Sequence, residues 1–430
     1  MNAPQNPEPA PERKSSPARP SPLEPLRHRQ YAACWLTGIL AHGASWMQSI
    51  TVPFLVFEMT GSAAWLGAAA VAGQAPALIG NPIGGVLADR YSRRGILLAA
   101  LSVKCAVAFG LWALWSNDAL SLAPILGLLA LNGLGATIYA ACWSSFAPQL
   151  VPKAALASVY RVNSIQINLS RAAGPALAGW VLAAFGPGTA FLVAAICYAP
   201  FAVALALARP RPIPVELHAG TLRALLAGVR AIREHRGLAI PLVTAAVVSI
   251  FGAGLQGLTA GLAADVYGVG AEGLGWLVSS MGIACVLTGI AVALLGERVA
   301  RSTTATIGIA AYASGAILAG ATDLYAVGLA GYAIIGIGHV TLYVSCATSL
   351  QLNLREELRG RVTSLYMMGI FLGMPLGSQV GGLLADQVGL ATVMTAYGAA
   401  LLLYLAIART WLRGFADLDG DALAEASAAS

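Results

Sequence analysis

Gly84-Gly-Val-Leu-Ala-Asp89-Arg90-Tyr-Ser-Arg93-Arg94-Gly-Ile-Leu97 packs four charges between two long apolar runs, about 63–88 and 95–116. Each run is long enough to cross a bilayer, which takes about 20 predominantly apolar residues. A connection this short makes the two spans antiparallel neighbours. Its charges must then lie in water or headgroups, because ionised groups at the bilayer centre are costly. Gly84 and Gly85 allow close helix approach at the end of the first run. Asp89 stands where it can accept hydrogen bonds from a helix N-terminus or a nearby arginine.

Gly85, Leu87, Ala88, Asp89, Arg90, Arg93 and Arg94 together resemble the signature between the second and third spans of the major facilitator superfamily. There the motif is a charge-relay latch that closes the cytoplasmic side, so the resemblance implies a latch role for Gly85, Asp89, Arg90, Arg93 and Arg94. Ser92 stands where glycine is usual.

Composition agrees with a membrane protein. Hydrophobic residues make up 58% of the 430 and charged ones only 10%, against roughly 25% charged in soluble domains. The net charge of +6 is distributed as membrane topology requires, so nucleic acid is not expected as a partner. The six cysteines all lie in apolar runs without metal-type spacing and read as small apolar packers. Twelve spans are expected, at about 31–57, 63–88, 95–116, 119–147, 156–184, 188–208, 239–265, 272–295, 303–321, 324–350, 362–386 and 389–410. With the N-terminus inside, 22 of the 25 Lys and Arg fall on the cytoplasmic side and the outer loops hold none, a strong positive-inside pattern. Lys104, Arg161 and Arg171 lie within spans; Lys104, nine residues into the third, reads as reaching back to the inner interface, and Arg161 as snorkelling.

The expected organisation is a disordered Pro-rich tail (1–28), a six-helix bundle (29–208), a cytoplasmic linker (209–237) with a basic amphipathic helix at 219–236, a second bundle (238–412) and a cytoplasmic tail (413–430). The halves repeat weakly: Leu156–Ser164 aligns with Leu358–Tyr366 at an offset of 202, and Leu66-Gly67 with Leu274-Gly275 at 208. This is what a duplicated six-span unit leaves.

No nucleophile elbow, phosphate loop or His-Glu-x-x-His is present, so neither enzyme activity, a cofactor nor a metal is expected. In the fifth span, the run ending Arg171-Ala-Ala-Gly174-Pro175-Ala-Leu-Ala-Gly179 resembles the motif that marks exporters within the superfamily. Asn163, Arg171 and the run Glu357–Tyr366 resemble its siderophore- and macrolide-exporter branch, including enterobactin-exporter-type and macrolide-efflux-type proteins. The resemblance implies an all-α fold of twelve helices in two pseudo-symmetric bundles, with gating kinks at Gly174-Pro175 and at Pro375 in span eleven.

In that fold spans one, four, seven and ten line a central cavity. The cavity candidates are therefore Trp46, Gln48, Asn132, Tyr139, Trp143, Gln256 and Tyr343, with Asn163 and Arg171 from span five. Arg171 is too deep to snorkel easily, and reads either as an anion contact or gate, or as a structural bond to carbonyls. No acid falls at the centre of a span, so the proton-coupling candidates are His42 and His339, with Glu58 at the outer end of span one. A histidine with a pKa of about 6.5 can carry a proton across the working range; the alternative is a hydrogen bond between packed helices.

The expectation is a monomeric secondary transporter of the bacterial inner membrane, both termini cytoplasmic, in contact with lipid. It exports an amphipathic drug, antibiotic or siderophore by alternating access and proton antiport. The alternatives are an importer of the same fold, or a membrane receptor or enzyme.

Overall fold

The computed structural model describes residues 23–211, 236–295, 298–353 and 356–410. The expected linker helix at 219–236 and both outer tails fall almost wholly outside these residues. Leu23–His28, expected to be disordered, is ordered: Glu24–Arg27 forms a 3-10 turn with Pro25 buried and an Arg27–Glu24 ion pair at 3.3 Å. Leu26 packs against the core, which accounts for the shorter tail.

The described residues are helical, without strands. The first half contains α1 (Arg29–Thr60), α2 (Ala63–Gln74), α3 (Ala77–Arg90), α4 (Arg93–Ser116), α5 (Leu122–Phe146) and α6 (Leu156–Leu207). The second contains α7 (Arg236–Phe251), α8 (Ala271–Leu295), α9 (Arg301–Gly320), α10 (Tyr325–Asn353), α11 (Glu356–Val388) and α12 (Leu390–Thr410). The expected single span 63–88 is interrupted between α2 and α3. Pro76 lies at the break, where a proline without an N–H ends the regular ladder.

At 52 residues α6 would be about 78 Å long if straight, more than twice the hydrocarbon thickness. It instead doubles back at Gly186, whose φ of 77° suits glycine and is followed by Pro187. Hydrogen bonds place both its ends beside the start of α1. Tyr31 Oη and Trp35 Nε1 donate to the carbonyls of Val159 and Val162, and the Arg209 N–H donates to Gln30 Oε1. Ten described segments are apolar and long enough to cross a membrane, α6 counting as one of them. The fold-back makes α6 two passes, and the 32-residue α1 lies outside those ten.

The end carrying the start of α1 is termed the near end, and the other the far end. Contact between the halves runs mainly through α2 against α11 and α6 against α8. At the far end Asp386 of α11 accepts hydrogen bonds from Ser62 Oγ (2.5 Å) and the Ala63 N–H (2.6 Å). The carboxylate thus caps α2 from the opposite half, at the helix end where partial positive charge collects. Halfway along, the Ala176 N–H of α6 donates to Ser279 Oγ of α8 at 2.8 Å. Toward the near end α3, which continues α2, barely touches α11. The halves are closed at the far end and apart at the near end.

Between α7 and α8 the chain leaves regular α-helix for a 3-10 stretch, Ala253–Leu258, and a π turn, Leu262–Val266. Ser378 Oγ of α11 donates to the carbonyl of Gly254 within that stretch. This irregular segment carries Gln256 and Thr259 into the space between the halves.

Candidate functional site

A cavity of about 340 Å³ lies between the halves, with Trp46, Gln48, Asn132, Gln256, Tyr332 and Met374 in its wall. Four of the expected cavity residues, Trp46, Gln48, Asn132 and Gln256, therefore meet in one place. Gln48 is only 3% exposed, and neither atom of its amide has a protein partner. Asn132 Oδ1 is likewise unpartnered. Buried amides without partners are costly, and here both belong to the first half. The second half's wall is internally satisfied: Gln256 Nε2 donates to Tyr312 Oη at 3.5 Å, and Tyr332 Oη donates to Thr259 Oγ1 at 2.9 Å.

Other expected cavity residues serve elsewhere. Trp143 is 7% exposed, and its Nε1 donates to Asn163 Oδ1 at 3.1 Å. Its ring meets Phe201 edge-on at 5.6 Å and stacks on Tyr139 at 6.3 Å. Trp143 and Asn163 are thus spent on each other inside the first half, because an indole N–H buried there needs an acceptor. Tyr343 packs against His339 at 4.7 Å, and Tyr312 lies 6.2 Å from the imidazole. Arg171 reaches across to Cys285 of α8 and lies within electrostatic range of His339. His42 lies on α1 one turn before Ser45 and Trp46, within range of Lys104. Glu58 is exposed at the far end of α1, remote from the cavity wall.

The gating residues divide the same way. Arg93 Nη1 donates to the Ser145 carbonyl, and Arg94 Nη1 to those of Ala206 and Ala208. Both arginines therefore cover helix C-terminal carbonyls at the near end, where cations are favoured. Arg90 is exposed. Gly85 and Asp89 lie in α3, with side chains outside the described set. Ser92 has a local reason: it is the N-cap of α4, its Oγ accepting from the Gly95 N–H at 3.2 Å. Gly174 and Pro175 lie within regular α6, whose break in helical geometry falls instead at Gly186, and a side chain at Gly174 would collide with the indole of the cavity residue Trp46. Pro375 lies inside α11 beside the cavity residue Met374.

Lys104 corrects the sequence reading. It does not reach back to an interface: it is 8% exposed, and its Nζ donates to Ser45 Oγ at 2.9 Å. The ammonium lies 5.7 Å from the centre of the Tyr139 ring and 5.3 Å from that of Tyr198. Tyr198 Oη is in turn 3.3 Å from Ser45 Oγ. The signal was present in sequence, for Leu97, Leu101, Lys104, Ala108 and Leu111 share the buried stripe of α4. Asp386 was the second functional residue missed, and no local pattern marks it.

Two helical bundles around a partly polar chamber, closed at one end, define a membrane transporter of the major facilitator fold. The chain belongs to the family described as transmembrane secretion effector, which matches residues 20–427. It is 26% identical over 388 residues to the multidrug efflux pump Tap of Mycolicibacterium fortuitum, covering 86% of this chain and 92% of that protein. It is 25% identical over 386 residues to the enterobactin exporter EntS of Escherichia coli, covering 87% and 88%. Among solved structures, the nucleoside transporter NupG superposes with a TM-score of 0.72 at 14% identity, over 91% of this chain and 99% of that one. At that identity the likeness speaks for the fold alone.

Proposed function

We propose that the protein exports an amphipathic small molecule, a drug or antibiotic or a siderophore, across the bacterial inner membrane by alternating access driven by proton antiport. The observation that carries this reading is the chamber: Trp46 supplies an aromatic wall, while Gln48 and Asn132 offer hydrogen-bonding atoms that no protein group takes up. Such a surface suits a bulky cargo with both apolar and polar parts. Export as the direction is supported by the resemblance of the run Arg171–Gly179 to the exporter motif, whose Gly174 packs on the chamber residue Trp46, and by relatives named as an efflux pump and an exporter. With the near end cytoplasmic, as the positive-inside pattern implies, the closed far end faces outward and the chamber is open to cargo from the cell.

His42 and His339 are the coupling candidates. Each lies within electrostatic range of a cation, Lys104 and Arg171 respectively, and neither has a described carboxylate partner. A proton taken up by either ring would therefore be repelled by an existing charge, an arrangement that links protonation to where those cations move.

The test is uptake of candidate drugs and siderophores into inverted vesicles, with and without an imposed pH gradient. Accumulation in the direction of export that collapses with the gradient is expected. Gln48→Leu is expected to weaken cargo affinity about tenfold, the value of one buried hydrogen bond to a polar ligand. In His42→Ala/His339→Ala, accumulation should no longer respond to the gradient; full response in the double variant overturns the histidine assignment. Uptake unaffected by the gradient in the wild type overturns antiport.

A further inference from the structure

Lys104 is a cation without an anion. Its Nζ carries three donors, of which Ser45 Oγ takes one while the faces of Tyr139 and Tyr198 flank the charge. No described carboxylate pairs with it: Glu24 pairs with Arg27, Asp265 lies in the π turn beside Asp386, and Glu58, Asp118, Glu272, Asp323 and Asp386 lie at helix ends or in the turns between them. Eleven residues into α4, the ammonium is about 16 Å from the helix start, near the middle of a bilayer-spanning element. A buried charge left unpaired at such depth is unfavourable, and ionisable groups kept there serve pathways and ligands.

The fold does not require it. The second half repeats the frame at offsets of 204–208: Tyr312 stands for Lys104, Tyr343 for Tyr139 and Tyr404 for Tyr198. As Tyr198 meets the Ser45 hydroxyl on the first helix of its half, so Tyr404 meets Thr244 at 2.6 Å on the first helix of the other. At the offset position the second half buries a neutral phenol, and its helices pack around it.

Ser45 is the link to the chamber, since it lines the cavity together with Trp46 and Gln48 while holding the ammonium. We infer that Lys104, positioned by Ser45, whose own hydroxyl donates to the Ala41 carbonyl, forms an anion subsite at the edge of the chamber, which takes the single negative group (a carboxylate, sulfonate or phenolate) of a cargo whose aromatic or apolar body lies against Trp46. This rests on the chamber being the cargo site, and it narrows the cargo to amphipathic anions. The anion completes the ammonium's hydrogen bonding in a site of low polarity, where a charge-assisted bond is strong. Gln48 and Asn132 then take polar groups elsewhere on the same molecule.

The test is equilibrium dialysis of the full-length protein in nanodiscs against 1-naphthoate and its neutral isostere 1-naphthamide, with empty nanodiscs subtracted and gluconate as the buffer anion. The wild type is expected to bind naphthoate about tenfold or more tightly than the amide, the worth of one charge-assisted hydrogen bond. Lys104→Met should abolish that preference while leaving amide binding within about twofold, and Lys104→Arg should retain most of it. Equal affinity of the wild type for the two probes overturns the inference without any variant, as does equal loss of both in Lys104→Met. Loss of the preference when gluconate is replaced by chloride assigns the pocket to an inorganic ion and likewise overturns it. Direction and driving force do not enter this assay, so the export reading and the anion subsite stand or fall separately.

Discussion

The two halves build the same polar pocket and fill it differently. In the first half a lysine occupies the centre, its serine faces the chamber, and the amides of Gln48 and Asn132 have unpartnered atoms. In the second half a tyrosine occupies the centre, and Gln256 and Thr259 are both bonded to tyrosines of their own half. The chamber wall is thus divided into a side that presents unpartnered amides and a side bonded within its own half, whose unpartnered His339 Nδ1 and Tyr343 Oη lie outside that wall. Polar groups with internal partners hold a wall in shape; polar groups without them are available to something that arrives.

The largest expected effect comes from forcing the halves to be alike. Tyr312→Lys places a second cation where Gln256 Nε2, itself a donor, now meets the phenol oxygen, at a cost of about 3 kcal/mol for a lysine at the helix centre. Thermal unfolding in nanodiscs should show a large loss. Lys104→Met, the reverse change, should leave stability unchanged or raise it, since apolar replacement of a buried charge is often stabilising. Comparable losses in both variants would mean that the lysine is a structural member of its half.

Where the halves touch, Asp386→Ala removes the cap of α2 at a cost of about 1–2 kcal/mol. An Ala64→Cys reporter, in a background without other reactive thiols, should then label about tenfold faster with an impermeant maleimide, as the far end opens more often. Unchanged labelling would leave closure to the packing of α2 on α11.

Next come the amides. Gln256→Leu strips Tyr312 of its donor and should destabilise by about 1 kcal/mol. Gln48→Leu, which removes an amide without protein partners, should be neutral or stabilising while it costs cargo affinity. The ranking of the two melting temperatures decides whether the contrast between satisfied and unsatisfied walls is real.

The smallest effect distinguishes the paired tyrosines. Tyr404→Phe gives up a 2.6 Å bond to Thr244, whereas Tyr198→Phe gives up a 3.3 Å contact with Ser45. About 1 kcal/mol is expected for the first and a few tenths for the second, read from the same unfolding curves.

The architecture was legible in sequence because its signals are local. Asp89 to Arg94 between two apolar runs, the bias of Lys and Arg, and segments that recur at offsets of 202 to 208 are each visible along the chain. The resemblance implies that spans one, four, seven and ten line a cavity; Trp46, Gln48, Asn132 and Gln256 of those spans meet in one wall, whereas Tyr139, Trp143 and Tyr343 do not line it. What escaped was side-chain pairing. Trp143 and Asn163 look equally available until the structure shows that they bond to each other. Lys104 was read by its distance from the helix start, whereas its direction is set by the buried stripe it shares with Leu101 and Ala108. Asp386 lies 323 residues from the backbone N–H of Ala63 that it caps, and no periodicity reports such a partnership.

That cap has a consequence for how the chain tolerates change. The start of α2 is finished by an atom that the first half does not encode, so the phase of α11 is part of the specification of α2. Inserting one residue between Pro375 and Asp386 would swing the carboxylate by about 100° around its helix axis. Both helices would keep their own ladders, yet the seam between the bundles would lose its stitch. Length variation in this part of α11 is therefore expected to be rarer than in any stretch of equal length facing lipid.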